Sequence, residues 1–385
     1  MEPVYLDNAA TTRIAPEVLE AMLPFLEENY GNPSSFHTFG SSHMEAVETA
    51  RGQVARLLGA RADEIFFTSG GTESDNQALR SAVKMDPTRR GIVTSAVEHP
   101  AVLETARMLE KEGCTLGIVP VNGKGEVVLE ELEKMVDAQT AVVSIMAANN
   151  ETGVIMPLKA IAEISTDEGS LFHTDAVQMA GKCPLDVHTT GIDLLSLSAH
   201  KIHGPKGVGA IYVRKGIELP PMITGGHQER GMRSGTYNVP GIVGLGKAAE
   251  LALTHLADTV AAERSLRESF EARVKERCPG AFIVAEEASE RLPGTVTVIF
   301  RGIESEAVLT LLDMQGIYAS SGSACSTGSK DPSHVLYAMG IDHTLANSAV
   351  RFSLSRYTTG EEIDRAVAAL ETIVERLRRI SPYTE

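Results

Sequence analysis

Residues 192–213 read IDLLSLSAHKIHGPKGVGAIYV. The run 192–197 is short, apolar and preceded by Gly191, so it reads as a buried strand, and 207–213 reads as a second. Lys201 therefore falls in the turn between two core strands. Lysine is a residue that water normally keeps. One set against a dry sheet has two readings: its stem lies on the core while the ammonium reaches solvent, or its amine is held desolvated, neutral and nucleophilic. Base rates favour the first. The neighbours of Lys201 favour the second, because Gly204, Pro205 and Gly207 fix an irregular backbone while Ser198, His200 and His203 offer donors to an anion. Such a setting suits an aldehyde cofactor that carries a phosphate.

Outward from this stretch, apolar strand patterns recur at 64–68, 91–95, 115–119, 141–146 and 170–174, separated by helical patterns at 73–83, 101–112, 129–136 and 157–166. Strand and helix in alternation predict an α/β unit with a mostly parallel sheet of seven strands, and ligands of such sheets bind beyond the carboxyl ends of the strands. Past residue 226 the texture changes. One long helical pattern spans 241–277, and strands at 294–300 and 349–354 follow with helices at 304–315 and 360–380. The last helix is well specified, by a Thr359/Glu362 capping box and an apolar stripe from Ile363 to Leu377. The division expected is a large α/β domain over 15–256, and a smaller α+β domain built from 1–14 and 257–385.

The composition of the 385-residue chain, 43% hydrophobic and 22% charged, is that of a globular protein. A net charge of −16 repels nucleic acid and anionic membranes. No run of eighteen apolar residues and no basic-then-apolar leader is present, so a cytoplasmic protein is expected. Cys114, Cys183, Cys278 and Cys325 stand far apart with no metal-type spacing, which predicts free thiols and no metal site.

The loops after the strands hold the chemistry. Ser69-Gly70-Gly71-Thr72-Glu73-Ser74 ends a strand where a helix begins, so free amides and a hydroxyl converge at a positive helix end; a phosphate cradle and a plain capped helix start both fit. His99, in Glu98-His99-Pro100, is either a satisfied loop residue or a ring placed flat against a planar ligand. In Asn149-Asn150-Glu151-Thr152-Gly153 the amides shape a turn, or Asn150 donates to a carboxylate or ring oxygen. Asp175 ends the apolar strand 170–174, where a carboxylate needs a positive partner; a protonated pyridine nitrogen is one, and a helix cap is the alternative. Gln178 is close enough to reach the phenolic oxygen of the same ring. Taken together, the four strand ends point to pyridoxal phosphate.

Two residues lie outside that set. Cys325 is embedded in Ser320-Ser-Gly-Ser-Ala-Cys-Ser-Thr-Gly-Ser329, with no apolar neighbours to bury it, so a reachable and mobile thiol is expected. Arg351, inside a strand, must meet a planar anion, either a substrate α-carboxylate or a protein carboxylate.

From Tyr5-Leu-Asp-Asn-Ala-Ala-Thr-Thr12 through TSGGTES, EHP, NNETG, DAVQ, SAHKIHGPKG, RSGT at 233–236 and SSGSAC at 320–325, the chain resembles the cysteine desulfurases of NifS/IscS type. These are fold-type I, class V aminotransferase-like enzymes that use pyridoxal phosphate. The resemblance implies that Lys201 bonds the cofactor aldehyde and later moves protons, His99 stacks on the ring, Asp175 pairs with its nitrogen, and Gln178 and Asn150 lie near the phenolic oxygen and substrate. It implies that Thr72, Ser198 and His200, beside Gly71, hold the phosphate, with Thr236 reaching the same phosphate across a homodimer interface. Arg351 matches the residue that binds the carboxylate of the substrate, L-cysteine. Cys325 matches the thiol that takes its sulfur as a persulfide, releasing L-alanine and later passing the sulfur to an acceptor protein for iron–sulfur cluster assembly or another thio-cofactor. Two neighbouring activities, selenocysteine lyase and aminotransferase, share much of this set. The sequence ends at Glu385, without the longer tail that housekeeping members turn toward a scaffold protein, which leaves the acceptor open.

Overall fold

The computed structural model describes residues 2–322 and 333–381; Cys325, with the expectation of a reachable thiol, lies outside them. A short strand β1 (Val4–Tyr5) precedes the large sheet, which contains β2 (Ile65–Thr68), β3 (Gly91–Ser95), β4 (Thr115–Val119), β5 (Thr140–Ser144), β6 (Leu171–Asp175), β7 (Leu194–Ser198) and β8 (Gly209–Val213). Their order is β2-β8-β7-β6-β5-β3-β4. Only the β8 pairings are antiparallel. Strands β3, β5, β7 and β8 are buried along their whole length, as strands covered on both faces must be, which is why they read as apolar runs without alternation.

The topology places the site. Because β2 and β7 both run antiparallel to β8, they run parallel to each other and to the rest. The carboxyl ends Thr68, Ser95, Ser144, Asp175 and Ser198 thus share one edge. Close approach at that edge requires glycine. Gly70 adopts φ 153° and ψ −178°, open only to glycine, and a Cβ on Gly209 would meet Leu197 O at 2.5 Å and Gly70 Cα at 2.7 Å.

A second, antiparallel sheet has the order β12 (Ser320–Ser321), β13 (Ala349–Ser353), β10 (Thr295–Phe300), β9 (Ala281–Ile283), and β1 pairs parallel with β11 (Ile317–Tyr318). It has its own core, in which Leu6, Phe270, Val296 and Phe352 meet Ile363, Val367, Leu370 and Val374 of the helix Gly360–Ile380. The expected Thr359/Glu362 capping box is present.

One expectation is corrected. The helical pattern 241–277 is two helices, Val239–Thr254 and Leu256–Arg277, broken at His255 (φ −102°, ψ 8°). The first packs Ile242, Leu245 and Ala249 into the core of the large sheet with Val47 and Val54; the second sends Phe270 and Val274 into the other core. The break has no glycine or proline to announce it, because two separate cores pull the halves apart.

Candidate active site

A cavity of about 260 Å³ opens at the shared strand edge, at the small end of ligand cavities. Gly71, Thr72, His99, Asn150, Asp175, Gln178, Ser198, His200, Lys201 and Arg351 all line it, together with Asp75, Ala9 and Ala10. Of the residues expected at the site, Thr236 is exposed and not part of this wall, and Cys325 lies outside the described residues.

At one end, the helix Gly71–Met85 begins without a side-chain cap on its first amides. Gly71, Thr72 and Ser198 line the cavity there, and a Cβ on Gly71 would meet Val177 Cγ2 at 2.7 Å. Uncapped amides at a positive helix end are an anion site. His200 stands beside them, with Nδ1 3.1 Å from Thr11 Oγ1. Burial, and then the charge of Lys201, pushes its pKa down to about 4, so at neutral pH the ring is uncharged and acts by hydrogen bonding.

Lys201 ends the turn Ala199–Lys201 that follows β7. Its Nζ donates to Ala9 O at 2.7 Å and Ala10 O at 2.8 Å, so the N-terminal segment helps to hold the amine. Gln178 Nε2 donates to the same Ala9 O (2.9 Å), while its Oε1 accepts from Lys182 Nζ (3.1 Å). With these two contacts made, the Gln178 amide keeps one further N–H donor and one lone pair on its oxygen.

Asp175 is buried, and its Oδ1 accepts from Val177 N at 2.9 Å, so part of the local-cap reading holds as well. Burial raises its pKa, opposed by His99 and Lys201. His99 caps the helix Pro100–Lys111: Nδ1 accepts from Ala101 N at 3.1 Å, which leaves the proton on Nε2 and fixes the ring. Asn149 shapes the NNETG turn with Thr152, accepting from Glu151 N and Thr152 N and donating to Val97 O, while the Asn150 side chain makes no bond within the turn and the residue lines the cavity.

Arg351, 2% exposed in the middle of β13, meets a protein carboxylate, one of its two readings. It lines the cavity, and it donates to Asn150 O at 3.0 Å and to Asp7 Oδ1 at 2.9 Å, while its buried Nε has no protein partner among the described residues.

Sequence reasoning missed Asp75, Glu151 and the Ala9–Ala10 carbonyls. Asp75 reads as an ordinary first-turn acid, and backbone carbonyls leave no trace in composition. Glu151 is buried and accepts from Ser333 Oγ at 2.5 Å; a Cβ on Gly322 would collide with its Oε2. Both described ends of the 323–332 segment therefore meet at Glu151, beside the cavity.

The segment leading to Thr236 is anchored separately. Glu229 and Arg230 adopt left-handed backbone (φ 45° and 54°), a strained state for residues with side chains. A buried, bidentate Arg51–Glu229 pair (both 2.8 Å) holds them, and Arg233 binds Glu73, in the first turn of the helix Gly71–Met85, at 2.8 Å. Arg51→Ala would strand the Glu229 carboxylate in the interior, so a loss of about 3–5 kcal/mol is expected, measured as a lower urea midpoint.

The chain belongs to the aminotransferase class-V family, which matches residues 4–366. More particularly, it is 50% identical over 384 residues to the cysteine desulfurase NifS of Azotobacter vinelandii, covering 100% of this chain and 95% of that one. A solved NifS-like protein superposes with a TM-score of 0.92 at 43% identity, covering 97% of this chain and 100% of that one. The structure of SspA in complex with cysteine has a TM-score of 0.82 at 35% identity, covering 92% and 99%.

Proposed function

We propose that the protein is a pyridoxal-phosphate-dependent cysteine desulfurase that converts L-cysteine to L-alanine and carries the sulfur away as a persulfide of Cys325. The observation that carries this reading is the convergence, on one cavity, of an uncapped helix start, a buried carboxylate, a stackable histidine, a lysine amine and a buried arginine. The donor set fits the cofactor end to end: amides of Gly71 and Thr72 with Thr72, Ser198 and His200 for the phosphate, His99 for the ring face, Gln178 for the phenolic oxygen, Asp175 for the nitrogen. Likeness to cysteine desulfurases over nearly the whole chain supports the same substrate.

When bound, pyridoxal phosphate supplies an aldehyde that bonds amines and a ring that draws electrons from the substrate α-carbon. The protein does the rest. Asp175, as an anion, keeps a proton on the ring nitrogen. The Lys201 amine would hold the aldehyde in the absence of substrate and would serve as the base for the Cα proton. Arg351 and Asn150 orient the substrate carboxylate. The Cys325 thiolate would attack the substrate sulfur, so that an S–S bond forms as the Cβ–S bond breaks; the pair from that bond stays with the carbon skeleton, which takes up a proton at Cβ and regains one at Cα to leave as alanine. Incubation with L-cysteine and a dithiol, which reduces the persulfide and frees its outer sulfur, tests the reading: alanine and sulfide in equal amounts are expected, and a keto acid in place of alanine would refute it.

Arg351→Ala removes the bidentate partner of the carboxylate and leaves Asp7 unpaired. A fall in kcat/KM of about 100-fold or more is expected, most of it in KM, read from initial rates across L-cysteine concentrations.

Two lobes, 15–256 and 1–14 with 257–385, are supported by the break at His255 and the two cores. Homodimer formation is supported by Leu19, Leu23, Leu26, Tyr30 and Phe36, which expose apolar surface along and beyond the helix Pro16–Glu27. It would let an exposed Thr236 serve the partner's phosphate. Free Cys114, Cys183 and Cys278 suit a reducing, cytoplasmic setting. An acceptor protein, in iron–sulfur cluster assembly or another thio-cofactor route, completes the cycle.

A further inference from the structure

Asp75 belongs to the cavity wall, yet no part of the proposed chemistry uses it. It sits at the start of the helix Gly71–Met85, is 1% exposed, and its Oδ1 finds no hydrogen-bond partner among the described residues. One oxygen of Asp75, one of Asp175 and a ring nitrogen of His99 lie within 4.8 Å of one another. Two carboxylates so close and so far from water do not both ionise, since their repulsion at low effective dielectric reaches about 4 kcal/mol. The pair therefore holds a proton.

The surroundings decide where it sits. Asp175 accepts the Val177 N–H and feels the charge of Lys201. No lysine or arginine charge acts on Asp75, which shares the neighbouring His99 ring with Asp175. From β6 it meets His173, whose Nε2 is 3.7 Å away and whose ring nitrogens are engaged by Ser144 Oγ (2.8 Å) and Ser196 Oγ (3.0 Å). Burial pushes His173 down to about 3, so that ring is neutral. From β7 Asp75 meets the Ser196 hydroxyl, and from the end of β3 it feels Glu98, a further buried acid. Burial, and then the charge of Asp175, raises Asp75 well above the usual carboxylate range.

We propose that Asp75 is a positioning residue that keeps the single proton of this buried pair, leaving Asp175 as the one anion that faces the cofactor nitrogen. This rests on the pyridoxal phosphate reading above. The neutral acid gives Asp175 a polar neighbour without a second charge. An apolar group in its place would desolvate the Asp175 carboxylate and draw the ring proton onto it.

Asp75→Asn, which keeps the shape and a donor, and Asp75→Leu, which keeps neither charge nor donor, separate the possibilities. In infrared difference spectra of the cofactor-free proteins at neutral pH, native against Asp75→Asn, the loss of a carboxylic-acid carbonyl band is expected. In the holoenzyme, nitrogen-15 NMR of ring-labelled pyridoxal phosphate is expected to show a protonated nitrogen in the native and Asn forms, with kcat within about threefold. For Asp75→Leu a nitrogen that has lost much of its proton and a kcat lower by about tenfold are expected. Loss of a carboxylate band in place of the acid band, or a deprotonated ring in Asp75→Asn, would overturn the proposal. So would an Asp75→Leu enzyme with native rate and a protonated ring, since Asp75 would then only fill space. A native chain that bound no pyridoxal phosphate would refute the proposed function instead, and the infrared comparison would still decide the state of Asp75.

Discussion

Lys201→Ala is expected to abolish turnover, lowering kcat by about four orders of magnitude or more, the scale on which single covalent-catalysis residues act. Among the described residues that line the cavity, Lys201 carries the only primary amine, so nothing else there can bond an aldehyde. Ala9 O and Ala10 O accept from its Nζ, at 2.7 and 2.8 Å, and hold it at the cavity wall. The phosphate end is built from other residues, so the variant should still hold the cofactor, without a covalent link. Absorption spectra and borohydride treatment check this. The native protein should retain the cofactor on the peptide that contains Lys201 after reduction, and the variant should release it on denaturation.

Cys325→Ala is expected to lower sulfide formation by about three orders of magnitude or more while leaving cofactor binding intact, because sulfur transfer needs a thiolate nucleophile and cofactor binding does not. Exchange of the cysteine α-proton with deuterated solvent, followed by NMR, should continue near the native rate. A variant that kept the sulfide rate would remove the persulfide from the account.

The large sheet was legible because burial on both faces writes strands as apolar runs, and because each strand end in the site carries a polar signature: Thr68 before Gly70-Gly71, His99 after Glu98, Asp175 after Thr174. What those strings could not show is what lies between them. The Lys201 amine is held by Ala9 and Ala10, nearly two hundred residues upstream, through carbonyls that every residue possesses. The Gln178 amide takes its orientation from Lys182, which reads as an ordinary surface charge. Asp75 is decisive only because β6 and β7 bury it beside Asp175, a fact of packing and not of spacing. The break at His255 is of the same kind, since it exists only because two cores compete for one helical pattern.

The most direct test is a single turnover of the native enzyme with L-cysteine, followed by mass analysis of the peptide that contains Cys325. The account predicts that this peptide gains the mass of one sulfur atom, that the gain is reversed by a thiol reductant, and that one alanine appears per site. Alanine formed while the peptide mass stayed unchanged would contradict it.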